Sequence, residues 1–284
     1  MPLYQAGKNR IILGGHHAEL YAKAKCFIDN TKSYKTAIVG NSRGMSLVNP
    51  ETQEKRAVNL CTPSQDTYYT YNLIKKLANY SSNNMEVLFI LSDSSLTFDA
   101  CLSRSEVRHT QPMKNILEIQ PYYKGNNESK ATTAEKAKNF FADKIAGRRI
   151  ILPEEIAKRV NGYNPMYKAL GCMPLKSQMA EERIMKLRKA FSGKYTSHMG
   201  HWIEKINTFC ALRKIRIRAV FPPYRSDYRM HIPSQTINTI FDLLPHADQR
   251  INLIDKFKDE YFLDPDHLRP CEYVDREFVK TTTT

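Results

Sequence analysis

Hydrophobic and polar positions divide this chain into short apolar runs and longer amphipathic ones. Thr36–Gly40 (TAIVG) is a compact apolar run closed by glycine. Glu86–Leu91 (EVLFIL) is a continuous run of the kind carried by a strand buried on both faces. Ile215–Phe221 (IRIRAVF) opens on period-two alternation and stops at Pro222 and Pro223. Lys55–Leu60 and Arg250–Ile254 complete the predicted strands. Helical patterning fills the gaps over Tyr69–Tyr80, Ser177–Phe191, His201–Arg213 and Ser234–Leu244. A further helical stretch opens at Thr132, which is spaced with Glu135 as a capping box.

Strands alternating with helices predict an α/β fold with a parallel sheet covered on both sides. The expected form is a flavodoxin-like three-layer sandwich of about five parallel strands. The interval 92–214 is too long for one crossover and reads as a helical insertion between the third and fourth strands, a lid or cap over the open end of the sheet. The expected organisation is an N-terminal extension over 1–35, one domain over 36–280 that carries this insertion, and a frayed tail over 281–284. Ligands of open α/β sheets sit outside the carboxyl ends of the strands. The search for chemistry therefore narrows to the loops at 41–43, 61–64, 92–95 and 222–225 and the segment after Ile254.

The first loop reads Gly40-Asn41-Ser42-Arg43-Gly44. A serine where a buried strand turns into a helix has its hydroxyl at the sheet edge, and its N–H lies near a helix start that favours negative charge. An acyl-transfer nucleophile needs that position; a plain helix N-cap is the structural alternative. Near the far end stands Asp264-Pro265-Asp266-His267. An Asp three residues before a His can fold back on the imidazole and fix its tautomer, leaving the other nitrogen to take a proton from serine. The alternative is an exposed loop in which Asp264 or Asp266 caps a turn. Post-strand serine and Asp-x-x-His together are a far rarer coincidence than either alone.

On these residues the sequence resembles the SGNH (GDSL-type) hydrolase superfamily. Gly40-Asn41-Ser42 is similar to its first block, with Asn for Asp, and Asp264 with His267 is similar to its last. The stretch 261–268 looks like the branches that O-acetylate cell-surface polysaccharides. The resemblance implies a Ser42–His267–Asp264 triad and an oxyanion hole built from Ser42, Ser64 and Ser94. Two blocks depart from the pattern: Ser64 stands near the usual oxyanion glycine, and Ser94 where Asn is usual. Gly40-x-Ser42-x-Gly44 also matches the α/β-hydrolase elbow, but only 39 residues precede Gly40 and such an elbow normally follows several strands. The implied activity is polysaccharide O-acetyl transfer, with esterase or deacetylase as the alternative. The expected donor is acetyl-coenzyme A, the expected acceptor an acidic polysaccharide or other carbohydrate, and no metal is implied. Asn41, Arg43 and Arg225 are the candidate substrate-binding residues.

Charge changes the picture modestly. Lys and Arg number 43 against 29 Asp and Glu, a formal net charge of +14 that favours anionic partners. A non-catalytic basic module holding anionic glycan or nucleic acid is therefore the competing class. Neither a phosphate-binding glycine loop nor a stacking pattern around the single Trp202 is present in the sequence. His198 and His201 lie one helical turn apart without a third ligand at familiar spacing, and His16-His17 reads as a loop. Arg229 follows a strand as Arg225 does. Six scattered cysteines form no Cys-x-x-Cys pair, which suits neither a zinc framework nor a disulfide scaffold. No apolar run is long enough for a membrane span, and the one near the N-terminus is too short for a signal-peptide core. The expected location is cytoplasmic, or periplasmic if a leader or anchor has been removed, with a membrane-associated assembly partner left open.

Overall fold

The computed structural model describes residues 34–52, 57–79, 85–102, 118–120, 171–190 and 198–283, with short pieces at 4–5, 10–12, 23 and 149–151. Five parallel strands make the central sheet: β1 (Thr36–Gly40), β2 (Ala57–Asn59), β3 (Glu86–Ile90), β4 (Arg216–Phe221) and β5 (Gln249–Asn252). Their order is β2-β1-β3-β4-β5, the flavodoxin-like arrangement expected from the sequence. Register is continuous across the middle, with Ile38 opposite Leu88 and Phe89 opposite Ala219.

Alternate residues of the strands face opposite layers, so the central strands are apolar on both faces over Ala37–Val39, Val87–Ile90 and Ala219–Phe221. Ala37, Val39, Val87, Phe89, Ile217 and Phe221 point into the larger core. Over that core lie α2 (Thr67–Ala78), α4 (His198–Leu212) and α6 (Thr236–Asp242). Ile38, Leu88, Ile90 and Val220 point the other way, against α1 (Ser42–Leu47) and α7 (Glu272–Thr283). Two further helices, α3 (Ala180–Ala190) and the single turn α5 (Ser226–Arg229), stand at the carboxyl end of the sheet. A short antiparallel hairpin, β6 (Phe262–Asp264) and β7 (His267–Leu268), precedes α7.

Several boundaries differ from the sequence reading. Helix α4 buries Ile203, Ile206 and Cys210 in the larger core, so it is an ordinary sheet-covering crossover helix. The insertion is therefore the part before residue 198 rather than the whole of 92–214. Helix α7 has no counterpart in the sequence reading, and the expected frayed tail is helical through Thr283. Thr282 is buried, and its carbonyl accepts a bond from Arg218 Nη1 at 3.0 Å. In the N-terminal stretch, Arg10–Ile12 pairs with Tyr4–Gln5 and, in parallel, with Arg149–Ile151, in a small sheet separate from the central one. The Thr132–Glu135 capping box, His16-His17 and Thr284 lie outside the described residues.

Candidate active site

The switch point of a β2-β1-β3-β4-β5 sheet lies between β1 and β3, where chain connections leave in opposite directions and open a crevice. The β1–α1 turn fills one side of it. Gly40 has φ 135°, and a Cβ there would stand 2.2 Å from the Ile90 carbonyl oxygen, so only glycine fits. At Gly44 a Cβ would meet Cys61 Sγ at 2.4 Å, which lets α1 approach the sheet closely. Asn41 caps α1 by accepting from Arg43 N at 3.1 Å, and its Nδ2 donates to Ser92 Oγ at 2.9 Å. Ser42 is thereby fixed as the first residue of the helix.

The β6–β7 hairpin brings the second half of the site. Three backbone bonds pin it: Lys176 N to Leu263 O at 2.9 Å, Arg225 N to Pro265 O at 3.1 Å and Arg269 N to Tyr261 O at 2.7 Å. His267 Nε2 lies 2.9 Å from Ser42 Oγ, across 225 positions of sequence. His267 Nδ1 lies 2.8 Å from Asp264 Oδ1 and 3.3 Å from Asp266 Oδ1. Two carboxylates facing Nδ1 keep a proton on it, which leaves Nε2 toward the serine hydroxyl. Burial by itself pushes the imidazole pKa down. The Asp266 charge, and bonds from Asp264 and Asp266, overcome that and hold it up at about 9.

Behind the hairpin lies a buried charge cluster that the sequence did not announce. Asp266 is 2% exposed and meets Arg43 Nη2 at 2.9 Å and Arg183 Nε at 2.8 Å. Burial would raise its pKa, but His267, Arg43 and Arg183 hold it well below the usual carboxylate range. Arg43 Nη2 also lies 3.2 Å from Asp93, and its guanidinium stands 5.2 Å from the Tyr224 ring centre. Asp93 in turn accepts from Tyr224 at 2.8 Å and Tyr228 at 2.9 Å. These partners come from five separate segments, and no short motif joins them.

A cleft of about 540 Å³, counted with its open mouth, lies in front of Ser42. Its walls include Ser64, Ser92, Ser94 and Ser95 on the polar side and Phe89, Ile90, Phe98 and Leu187 on the apolar side. Ser64 has φ 58°, the left-handed conformation that glycine adopts at no steric cost. Ser94 Oγ lies 3.0 Å from Ser92 Oγ. Asp66 also faces the cleft; it caps α2 by accepting from Tyr69 N and holds Ala100 N, both at 2.8 Å. Burial raises its pKa to about 7. An aspartate just ahead of the amphipathic run at 67–78 is a readable cap signal.

The three proposed binding residues fare differently from the expectation. Asn41 spends its amide on the α1 cap and on Ser92, so it positions the turn. Arg43 lines the cleft, but its charge is shared between Asp93 and Asp266. Arg225 does not line the cleft: its guanidinium pairs with Asp227 at 2.6 Å and donates to Gln178 O at 2.8 Å. Its backbone N–H braces the hairpin turn through Pro265 O. His201 is exposed, with Nδ1 3.8 Å from Glu204, and the side chain of His198 lies outside the described residues.

Asp264, Asp266 and His267 place three possible ligand atoms within 4.8 Å of one another. The set does not fit a cation, because Asp266 is already bound to two arginines and His267 Nδ1 is bonded to Asp264. Among the described residues, no helix is long and apolar enough to cross a membrane. No protein-family model matches the chain, and no curated protein matches it. The functional reading rests on the geometry.

Proposed function

We propose that the chain is a serine-dependent acyl-transfer enzyme of the SGNH type acting on carbohydrate esters. The observation that carries this reading is the continuous path from Ser42 Oγ to His267 Nε2 at 2.9 Å and from His267 Nδ1 to Asp264 at 2.8 Å. Ser42 Oγ attacks the acyl carbonyl while His267 Nε2 takes its proton; Asp264 holds the imidazole and stabilises its charged form. Collapse of the tetrahedral intermediate expels the alcohol or thiol, which leaves with the proton from His267, and the acyl group stays on Ser42. A sugar hydroxyl or water then attacks the ester, giving up its proton to His267; the new ester or acid leaves, and His267 returns that proton to Ser42 Oγ. The N–H groups of Ser42 and Ser64 and the Ser94 hydroxyl serve the oxyanion.

Polysaccharide O-acetylation with acetyl-coenzyme A as donor is the preferred form of this activity. The surplus of +14 charges suits an acidic glycan and the phosphates of the donor. An esterase or deacetylase uses the same path with water as acceptor. The test is release of p-nitrophenol from p-nitrophenyl acetate with and without a glycan acceptor. Acceptor-stimulated release with acetylated glycan supports the transferase, and acceptor-independent release the esterase. No release by either route, with binding that weakens steeply with salt, returns the chain to the basic binding module.

A further inference from the structure

The triad uses one carboxylate, yet the hairpin presents two to the same imidazole nitrogen. Asp264 Oδ1 is 2.8 Å and Asp266 Oδ1 3.3 Å from His267 Nδ1. The two are held differently. Asp264 accepts the Asp266 N–H at 3.2 Å and has the half-exposed Lys176 ammonium 3.9 Å from its other oxygen. Asp266 is held by two guanidiniums: Arg43 from α1 at 2.9 Å, and Arg183 from α3, which donates two hydrogen bonds to it, from Nε at 2.8 Å and Nη2 at 3.3 Å. Asp93 draws Arg43 from the other side and accepts one bond each from Tyr224 and Tyr228. A buried carboxylate bound by two guanidiniums has little charge to spare unless one partner is shared or withdrawn. Arg43 is shared with Asp93, and Arg183 is the partner with solvent access, at 24% side-chain exposure.

We propose that Asp266 is a positioning residue for the acyl-transfer reaction, a second carboxylate on His267 Nδ1, and that Arg183 on the inserted helix α3 sets how strongly it draws a proton onto the imidazole. The inference rests on the acyl-transfer reading for its meaning, but its physical content concerns the resting protein. In the transition state the imidazole carries a full positive charge, and a second fixed carboxylate stabilises that charge. In the resting site the same carboxylate keeps the ring protonated to higher pH and delays its use as a base. Arg183 offsets this by neutralising Asp266 and by adding its own positive charge nearby. The insertion thus reaches Asp266 through Arg183, and Asp264 more loosely through Lys176, while α1 holds Asp266 from the other side through Arg43.

The opposite signs of the two contributions separate this role from mere scaffolding. The measurement is the pH titration of the His267 ring signals by nuclear magnetic resonance, identified by their loss in His267→Gln, on the full chain without substrate. Wild type is expected to titrate well above the ordinary value of about 6.5. Asp266→Asn is expected to lower the midpoint by about 1–3 pH units, the usual effect of one close opposite charge. Arg183→Gln is expected to raise it. In active enzyme the acidic limb of kcat/KM moves in the same two directions. An unchanged midpoint in Asp266→Asn, or displacement of both variants in the same direction, overturns the proposal. If Asp266→Asn does not fold, Arg183→Gln decides alone: a raised midpoint supports the inference, and an unchanged or lowered one rejects it. Absence of esterase or transferase activity with these titrations intact overturns the acyl-transfer reading and leaves the electrostatic assignment standing.

Discussion

The two halves of the site are built by opposite means. The β1–α1 turn is local: within five residues, Gly40 and Gly44 relieve close approaches to β3 and Cys61, Asn41 caps the helix, and Ser42 has no other place to stand. The β6–β7 hairpin is assembled from a distance, with its carbonyls held by Lys176, Arg225 and its Asp266 by Arg43 and Arg183. Backbone sterics place the alcohol; long-range backbone bonds and ion pairs place the imidazole. Substitutions in the turn should therefore fail through strain, and substitutions behind the hairpin through altered proton affinity.

The largest effect is expected from Ser42→Ala. It removes the nucleophile while leaving the helix start unstrained, so p-nitrophenyl acetate turnover should fall by about 10⁴-fold or more. Unfolding midpoints should stay close to wild type; retained turnover would refute the nucleophile assignment. Gly40→Ala probes the sterics of the same turn. Its Cβ would stand 2.2 Å from the Ile90 carbonyl oxygen at φ 135°, so a loss of about 3 kcal/mol in urea unfolding is expected. A loss below about 1 kcal/mol would show that the turn relaxes freely.

The hairpin makes its contribution through pH. His267 is raised to about 9 in the folded protein against about 6.5 in an unfolded chain. A raised imidazole stabilises the fold fully below pH 6.5, and that stabilisation fades as pH rises through 9. The amount is on the order of 3 kcal/mol. Urea unfolding at pH 6 and pH 9.5 should show it in wild type and lack it in His267→Gln. Equal pH dependence in both would deny the carboxylates their hold on the ring. Catalysis runs the other way, with turnover climbing toward pH 9 as the ring gives up its proton. The smallest effect is expected from Ser64→Gly. It relieves a left-handed serine at φ 58° and keeps the N–H, so stability should change by no more than about 1 kcal/mol and turnover by only a few-fold. A large loss of turnover would instead assign the work to the Ser64 hydroxyl.

This contrast also marks how far the sequence could be read. The central strands were legible because burial on both faces leaves an unbroken apolar run, as in Val87 to Ile90 and Ala37 to Val39. Ser42 was legible from glycines whose spacing mirrors two steric needs. Asp264 and His267 were legible because they are three residues apart. Asp266 stood between them, but its partners lie 83 and 223 residues away, and ion pairing at such separation leaves no local period. Arg225 misled for the complementary reason: a post-strand arginine reads as a ligand contact until Asp227, two residues on, is seen to occupy it. Helix α7 escaped because its buried face is carried by Val274, Phe278 and a threonine, Thr282, and two apolar positions among polar ones advertise no face.

The most direct test of the acyl-transfer account is active-site labelling with a fluorophosphonate, followed by peptide mass spectrometry of wild type, Ser42→Ala and His267→Gln. The account predicts one modified residue, Ser42, with labelling absent in Ser42→Ala and greatly slowed in His267→Gln. Labelling at another serine, or equal rates with and without the imidazole, would contradict it.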